Sequence, residues 1–528
     1  MKTKSFQFKS YYEDWIIHFR SLGLLIIITL MFSLLFIDKG EQHVDVYQVM
    51  GIFDWSWVQL IKDFFTNPSG VYGGFQAPLY FILAKLYGSM FCSDLICLTI
   101  FSVIGFVLIV TVSWFSYPII TGNNNHLFRF LFTLLIAISP VFIWWAQTAK
   151  YNIWFTLISV LTLVAGMSFI HKKDFPRMFL FSIVAAATIY THYFGVNIVF
   201  SMCFIKIIIA VYQRNLSFVL HIVYSSLIMI VLLAPLLPNL FQATILRMNE
   251  GYHFVNGSTS FSSICRGILI EWFFGYGLIF FKSEGLLIAE AYNSIVNGQI
   301  TNAITLLIEV KLFIIAIVTF LLLSGQAIYQ ITKRHLLQIK SVYILGVPLL
   351  SIVISEIIGL SFRFSYIGMG TFCLIGFFFM GLPYYKKNII PLALLIVTLS
   401  LYGVSLTNYY KNMHLRYPGM WLVSEYINNH LPNSNNIIIH KWIRDNRGTD
   451  QEYKLSSKHF YTYITSISEI KFPKKGKTVV FLAGRPNDLI NNFEQIIQKR
   501  EAIQFRLLNT WQSMELAERS IIAIEVVI

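Results

Sequence analysis

"GGFQAPLYFILAKLYG", residues 73–88, runs from two glycines and Gln76 through Pro78 into an apolar, tyrosine-bearing stretch that also holds Lys85. Proline suits the first turn of a helix, so Pro78 predicts a helix start, and Gly73 and Gly74 permit a tight approach before it. A plain membrane anchor needs neither the tyrosines nor the lysine. The surrounding sequence says what kind of protein would place them there.

The chain has 528 residues, 56% hydrophobic and 12% charged, with a mean hydropathy of +0.64. A soluble protein carries about a quarter charged residues, so this one cannot cover a soluble surface of its size. Apolar runs of spanning length recur along it and predict about eleven helical spans. They lie at residues 21–37, 95–117, 127–146, 151–170, 178–193, 194–212, 218–237, 306–330, 342–360, 364–383 and 389–407. Helices are the open-ended way to satisfy backbone hydrogen bonds in lipid. No small-residue cleavage site follows the first run, which therefore reads as a retained span. Cys92, Cys97, Cys203, Cys265 and Cys373 are scattered and suggest neither a disulfide framework nor a metal cluster.

Basic residues set the expected orientation. With the N-terminus in the cytoplasm, Lys2, Lys4, Lys9 and Arg20, then Arg129, Lys172, Lys173, Arg177 and Arg214, fall inside. So do Lys333, Arg334, Lys340, Lys386 and Lys387, while the short outer loops are nearly free of Lys and Arg. The net charge of +14 thus reflects topology, and nucleic-acid binding is not expected. The expectation is a multi-pass protein of the cell (inner) membrane whose transmembrane domain covers residues 1–407. Residues 38–94 and 239–305 form outer loops, and 408–528 form an extracytoplasmic α/β domain. In that tail, strands are expected at Asn436–His440, Lys477–Leu482, Gln504–Leu508 and Ser520–Ile528, with a helix at Asn487–Arg500. No nucleotide-binding glycine pattern occurs in the tail.

The first outer loop is acidic in a basic protein: Asp38, Glu41, Asp45, Asp54 and Asp63 stand against Lys39 and Lys62 up to residue 77. A carboxylate at the membrane surface serves as a general base on a hydroxyl once burial raises its pKa. The plainer reading is a solvated loop. Three tight outer junctions carry further polar groups: Gln147, Lys150 and Tyr151 in "IWWAQTAKYNIW", His192 and Tyr193 in "YTHYFG", and Arg363 in "GLSFRFSYIG". Cations gathered at one membrane surface suit an anionic headgroup. Against this, Lys and Arg snorkel to the nearer interface and aromatics form interfacial belts. His43, between Glu41 and Asp45, leaves a divalent cation open; no metal set is evident.

In this order, acidic first loop, "QAPLYFILAKLY", "AQTAKY", "THYFG", a late arginine and a C-terminal tail, the chain resembles the GT-C-fold membrane glycosyltransferases. The group concerned is family 39, with the protein mannosyltransferases and aminoarabinose-transferase-like enzymes. "APLYFILAKLY" is similar to that family's His-Pro-Pro-Leu-Tyr segment, although Gln76 and Ala77 replace His-Pro. Thr148 stands where many members have Glu, Lys150 replaces an Arg, and the first-loop acidic pair keeps one member, Asp45. The resemblance implies transfer of a hexose or pentose from a polyprenyl-phosphate donor to a glycan, lipid or protein acceptor at the outer face. It implies Asp45 as base, ahead of Glu41 and Asp54. Lys150, His192, Arg363 and Tyr193 would meet the donor phosphate, and Pro78, Tyr80, Gln147 and Tyr151 would wall the cavity. The alternatives are a flippase or transporter of lipid-linked saccharides, a polysaccharide polymerase or ligase, and an inactive relative.

Overall fold

The computed structural model describes residues 2–35, 55–66, 77–92, 95–148, 150–241, 311–357, 363–382, 389–412, 420–431, 436–440, 460–464, 470, 477–483, 489–490, 504–511 and 521–527. Helices up to Leu406 belong to one compact unit and Thr407–Ile528 to a second.

In chain order the first unit has α1 (Lys2–Leu34), α2 (Trp57–Thr66), α3 (Pro78–Met90), α4 (Leu95–Thr121), α5 (His126–Ala137), α6 (Pro140–Ala146) and α7 (Asn152–His171). It continues with α8 (Phe175–Thr191), α9 (Gly195–Tyr212), α10 (Leu216–Leu233), α11 (Lys311–Thr332), α12 (His335–Ile357), α13 (Arg363–Gly381) and α14 (Ile389–Asn412). By length and composition, seven helices among the described residues suffice to cross a membrane: those at Ile16–Leu34, Ile96–Thr121, Asn152–His171, Gly195–Tyr212, Leu216–Leu233, Ile314–Thr332 and Gln338–Ser355. α5 and α6 form an eighth, broken span bent by 52°, and Phe175–Thr191, Gly368–Gly381 and Leu392–Thr407 are shorter apolar helices. Each of the eleven expected runs thus coincides with one of these elements. The protein is a multi-pass, α-helical membrane protein with a small C-terminal α/β unit.

Local chemistry explains the boundaries. Pro140 lacks an N–H and its ring crowds the carbonyl four residues back, so the helix breaks between Ala137 and Pro140. Asn125, Asp174 and Asn215 cap α5, α8 and α10 by accepting from the N–H groups of Phe128, Arg177 and Phe218. Thr162 and Thr188 join α7 to α8 through hydroxyls 2.8 Å apart, and Ser182 and Ser225 join α8 to α10 at the same distance. Small hydroxyl residues of this kind let helices approach closely in apolar surroundings. One difference from the sequence reading concerns Cys92 and Cys97, which form a local disulfide with Cα atoms 5.8 Å apart.

The second unit holds α15 (Met420–His430) and a five-stranded sheet: β1 (Asn436–His440), β2 (Phe460–Ile464), β3 (Lys477–Ala483), β4 (Gln504–Trp511) and β5 (Ile521–Val527). The spatial order is β2-β1-β3-β5-β4, with β1 parallel to β2 and β3, and β5 antiparallel to β3 and β4. One face packs Ile437, Ile439, Val479 and Phe481 against Val423 and Ile427 of α15. The other packs Ile438, Val480, Ile522 and Ile524 with Leu489 and Ile470. Burial on both faces is why β1, β3 and β5 read as continuous apolar runs. Strand β2 was absent from the sequence expectation. The expected helix at 487–500 lies outside the described residues except for Leu489 and Ile490, which are helical.

Candidate active site

The broken span leads to the first polar junction. α6 is buried throughout, and the chain emerges from it at Gln147, 1% exposed. The Gln147 amide Nε2 lies 3.3, 3.1 and 2.7 Å from the carbonyl oxygens of Phe32, Ser33 and Leu35. Those carbonyls end α1, where backbone acceptors have no helical partner. Gln147 therefore caps α1. Thr148, buried, donates its hydroxyl to the Trp144 carbonyl at 3.0 Å. The position where the resembling enzymes hold a Glu is thus an uncharged back-bonded threonine.

Beyond it, Lys150 and Tyr151 open α7. Lys150 Nζ lies 5.3 Å from the centroid of the Tyr151 ring. That ring in turn lies 4.7 Å from the His192 imidazole, which also meets Phe155 at 5.0 Å and Phe194 at 5.1 Å. His192 ends α8, its backbone N–H donating to the Thr188 carbonyl at 3.1 Å. Its Nδ1 is 3.2 Å from the Phe194 backbone N–H. In that contact Nδ1 is the acceptor, which leaves Nε2 as the ring nitrogen able to donate. Tyr193 occupies the intervening turn, and its carbonyl accepts from Val196 N–H at 3.1 Å. The turn is tight: a Cβ at Gly195 would stand 2.6 Å from the Thr188 carbonyl oxygen. Among the described residues, neither α7 nor α9 has a side-chain cap at its N-terminus, where the positive end of the helix dipole lies.

The opening segment supplies a third side. Pro78 stands at the first turn of α3, after an extended Ala77. Tyr80 is fully buried, its ring 6.2 Å from Tyr151 and 6.1 Å from Phe101. Lys85, one of the oddities of that segment, is 4% exposed; Nζ donates to the Trp55 carbonyl at 2.6 Å and lies 5.5 Å from the Trp57 ring. It ties α3 to the start of α2, next in sequence to Asp54. The sequence marked Lys85 as unusual without assigning it this role.

Arg363 begins α13, and its backbone is what the structure describes. Five residues on, Gly368 is pressed on Trp145 and Thr156; a Cβ there would overlap both side chains. The start of α13 is thereby held to the end of the bundle where α6 and α7 meet. Asp45, Glu41, Asp54, His43 and Gln76 lie outside the described residues. Among the described residues no group of three His, Cys, Asp or Glu stands together to hold a metal ion.

A turn beneath His192, sequence reading missed a polar seam between α9 and α12. Asn197 Nδ2 donates to Ser355 Oγ at 3.0 Å, and Ser351 Oγ donates to Ser201 Oγ at 3.1 Å. The signal was present: 197 and 201, like 351 and 355, are four apart in otherwise apolar helices, and so share a face.

No family model matches the chain, and no curated protein matches it. Among solved structures it is similar to the archaeal oligosaccharyltransferase AglB from Archaeoglobus fulgidus in complex with an inhibitory peptide and a dolichol-phosphate. Identity is 13%, over 82% of this chain and 62% of that one, with a TM-score of 0.43. The apo form of the Archaeoglobus oligosaccharyltransferase gives 12% identity over 93% and 69%, with a TM-score of 0.46. ArnT from Cupriavidus metallidurans bound to undecaprenyl phosphate gives 12% identity over 97% and 98%, with a TM-score of 0.39. The chain thus covers 62% of the AglB chain in the inhibited complex. With every TM-score below 0.5, these remain likenesses, and the functional reading rests on the residues.

Proposed function

We propose that this chain is an integral-membrane glycosyltransferase that moves a sugar from a polyprenyl-phosphate donor to an acceptor hydroxyl at the outer face, in cell-envelope glycan assembly or modification. The observation that supports this reading best is the meeting of Lys150, Tyr151 and His192, from two separate hairpin junctions, beside buried Tyr80. An ammonium and an imidazole Nε2–H there suit a phosphate that gains charge as it leaves. Each well-placed donor of this kind is worth about 10²–10³ in rate. Arg363, opening α13, would add a third cation.

In this reading a first-loop carboxylate, Asp45 ahead of Glu41 and Asp54, takes the acceptor proton as the hydroxyl attacks the anomeric carbon. In-line displacement of the lipid phosphate then inverts that carbon. Residues 1–407 carry the chemistry, and 408–528 stand outside the membrane, with the N-terminus in the cytoplasm. Pro78, Tyr80, Gln147 and Tyr151 shape the wall, and Tyr193 borders the phosphate.

The test uses the full chain in lipid nanodiscs with sugar-loaded undecaprenyl phosphate, following donor consumption and product stereochemistry. Asp45→Asn, Lys150→Ala, His192→Ala and Arg363→Ala are expected to slow consumption strongly. Donor that crosses the bilayer without being consumed makes the chain a flippase instead. Undiminished turnover in all four variants, with unchanged melting, removes the proposal.

A further inference from the structure

The first outer loop expected from the sequence contains a helix whose surface does not fit an aqueous loop. Ser56 caps α2: its hydroxyl accepts from the Gln59 N–H at 3.1 Å and its carbonyl from the Leu60 N–H at 2.9 Å. The helical repeat then gives three faces. Leu60 and Phe64, four apart, are buried. Trp57 and Ile61, also four apart, are 39% and 46% exposed, and Val58, three before Ile61, is 77% exposed. Gln59 and Lys62, three apart and exposed as well, make a polar side. Exposed apolar side chains are ordinary on a span, which lipid covers. On a loop helix that also has a polar side, such a stripe marks a surface that something covers.

The bundle holds α2 at both ends. Lys85 of α3 donates to the Trp55 carbonyl at 2.6 Å, just ahead of the helix, and its Nζ lies 5.5 Å from the Trp57 ring. Asn239, just past the end of α10, donates its side-chain amide to the Phe64 carbonyl in the last turn of α2, where carbonyls have no helical partner. The Phe64 ring meets Phe81 of α3 at 5.7 Å. α10 is long and apolar enough to cross a membrane. Exposed Val231, Leu237 and Phe241 carry its apolar surface up to and past Asn239. The end of α2 is therefore tied to the chain at the depth where a span finishes.

We propose that α2 is an interfacial helix whose partner is the lipid surface of the leaflet at this end of the bundle. Trp57, Val58 and Ile61 enter the boundary between headgroups and acyl chains, and Gln59 and Lys62 face water. An indole, apolar in body and polar at its N–H, suits that boundary, and an amphipathic helix lies in its plane. Three side chains fall well short of the roughly 20–30 residues a side of a stable protein interface, which disfavours a second copy as the cover. The inference does not depend on the sugar-transfer reading. Its consequence is that the membrane, together with Lys85, fixes the chain immediately after Asp54.

The test places the full chain in phosphatidylcholine nanodiscs with a photoreactive diazirine residue in place of Val58 and, in a second preparation, of Gln59. Illumination followed by mass spectrometry is expected to give phosphatidylcholine adducts at position 58 and water adducts at position 59. A water adduct at 58, lipid adducts at both positions alike, or a crosslink from 58 to a second copy or to another segment of the chain overturns the proposal. Hydrogen exchange gives an independent reading. Val58→Asp and Gln59→Asp place the same charge in the first turn, so the helix dipole acts on both alike. Val58→Asp is expected to speed exchange of the α2 amides about tenfold over Gln59→Asp, the scale of burying roughly half of an apolar side chain. Equal exchange in the two variants overturns the proposal as well. The diazirine introduces no charge, so the crosslink decides the matter if Val58→Asp fails to fold.

Discussion

Gln147→Leu tests the assignment of Gln147 as the cap of α1. The amide Nε2 faces three carbonyl oxygens, those of Phe32, Ser33 and Leu35, with two hydrogens to share among them. Leucine has nearly the same volume, so the substitution removes hydrogen bonds without opening a cavity. Hydrogen bonds between membrane helices average about 0.6 kcal/mol and reach about 1.7. Leaving buried acceptors unpaired adds about 1–3 kcal/mol per group. Leu35 is 45% exposed, whereas Ser33 is fully buried, so one acceptor can turn to other partners and one cannot. The expected loss is therefore about 2 kcal/mol. Gln147→Glu should lose more, since a carboxylate then faces three acceptors. Reversible denaturation of the full chain in mixed micelles, extrapolated linearly, reads both. A Leu variant within about 0.5 kcal/mol of the parent, the range of neutral surface changes, would refute the cap.

Other expectations follow from the same geometry. Lys150→Ala and His192→Ala should each lower donor turnover by about 10²–10³, measured in nanodiscs beside an unchanged melt. Gly195→Ala should destabilise the α8–α9 hairpin by about 1–3 kcal/mol, because its Cβ would meet the Thr188 carbonyl oxygen at 2.6 Å; an unaltered denaturation midpoint argues against that contact. Lys85→Met keeps the apolar stem but removes the donor to the Trp55 carbonyl. Hydrogen exchange at residues 55–66 should rise in that variant, and unchanged protection would show that α2 is held by other means.

Local signals carried much of the bundle. Length and apolarity located the spans, and proline and capping residues located their ends, because each depends on residues within a turn or two. Asp174 before Pro176 and Asn125 before His126 needed no distant partner to be readable. The strands at 436, 477 and 521 were equally legible, since both faces of the sheet are buried and the strands are apolar throughout. Strand β2, "FYTYI" on the sheet edge, is missing from the sequence expectation although its aromatic and β-branched residues all favour a strand; pairing with β1 fixes its place in the sheet. In the candidate site, the junctions carrying Lys150, Tyr151 and His192 were readable as short polar hairpins, but the approach of one hairpin to the other was not.

By itself, the sequence determined that the chain crosses a membrane many times, where most turns fall, and which turns carry charge; all of these follow from properties of neighbouring residues. Tertiary structure alone decided that Gln147 serves the end of α1, at a separation of 114 residues from Ser33, and that Asn197 meets Ser355 across 158. It alone decided that Lys85 reaches Trp55, and that Tyr343 and Lys206 are buried beside a glycine. The reason is geometric. A helix presents several faces of similar apolarity to its neighbours, and which face meets which is settled only when all of them pack together.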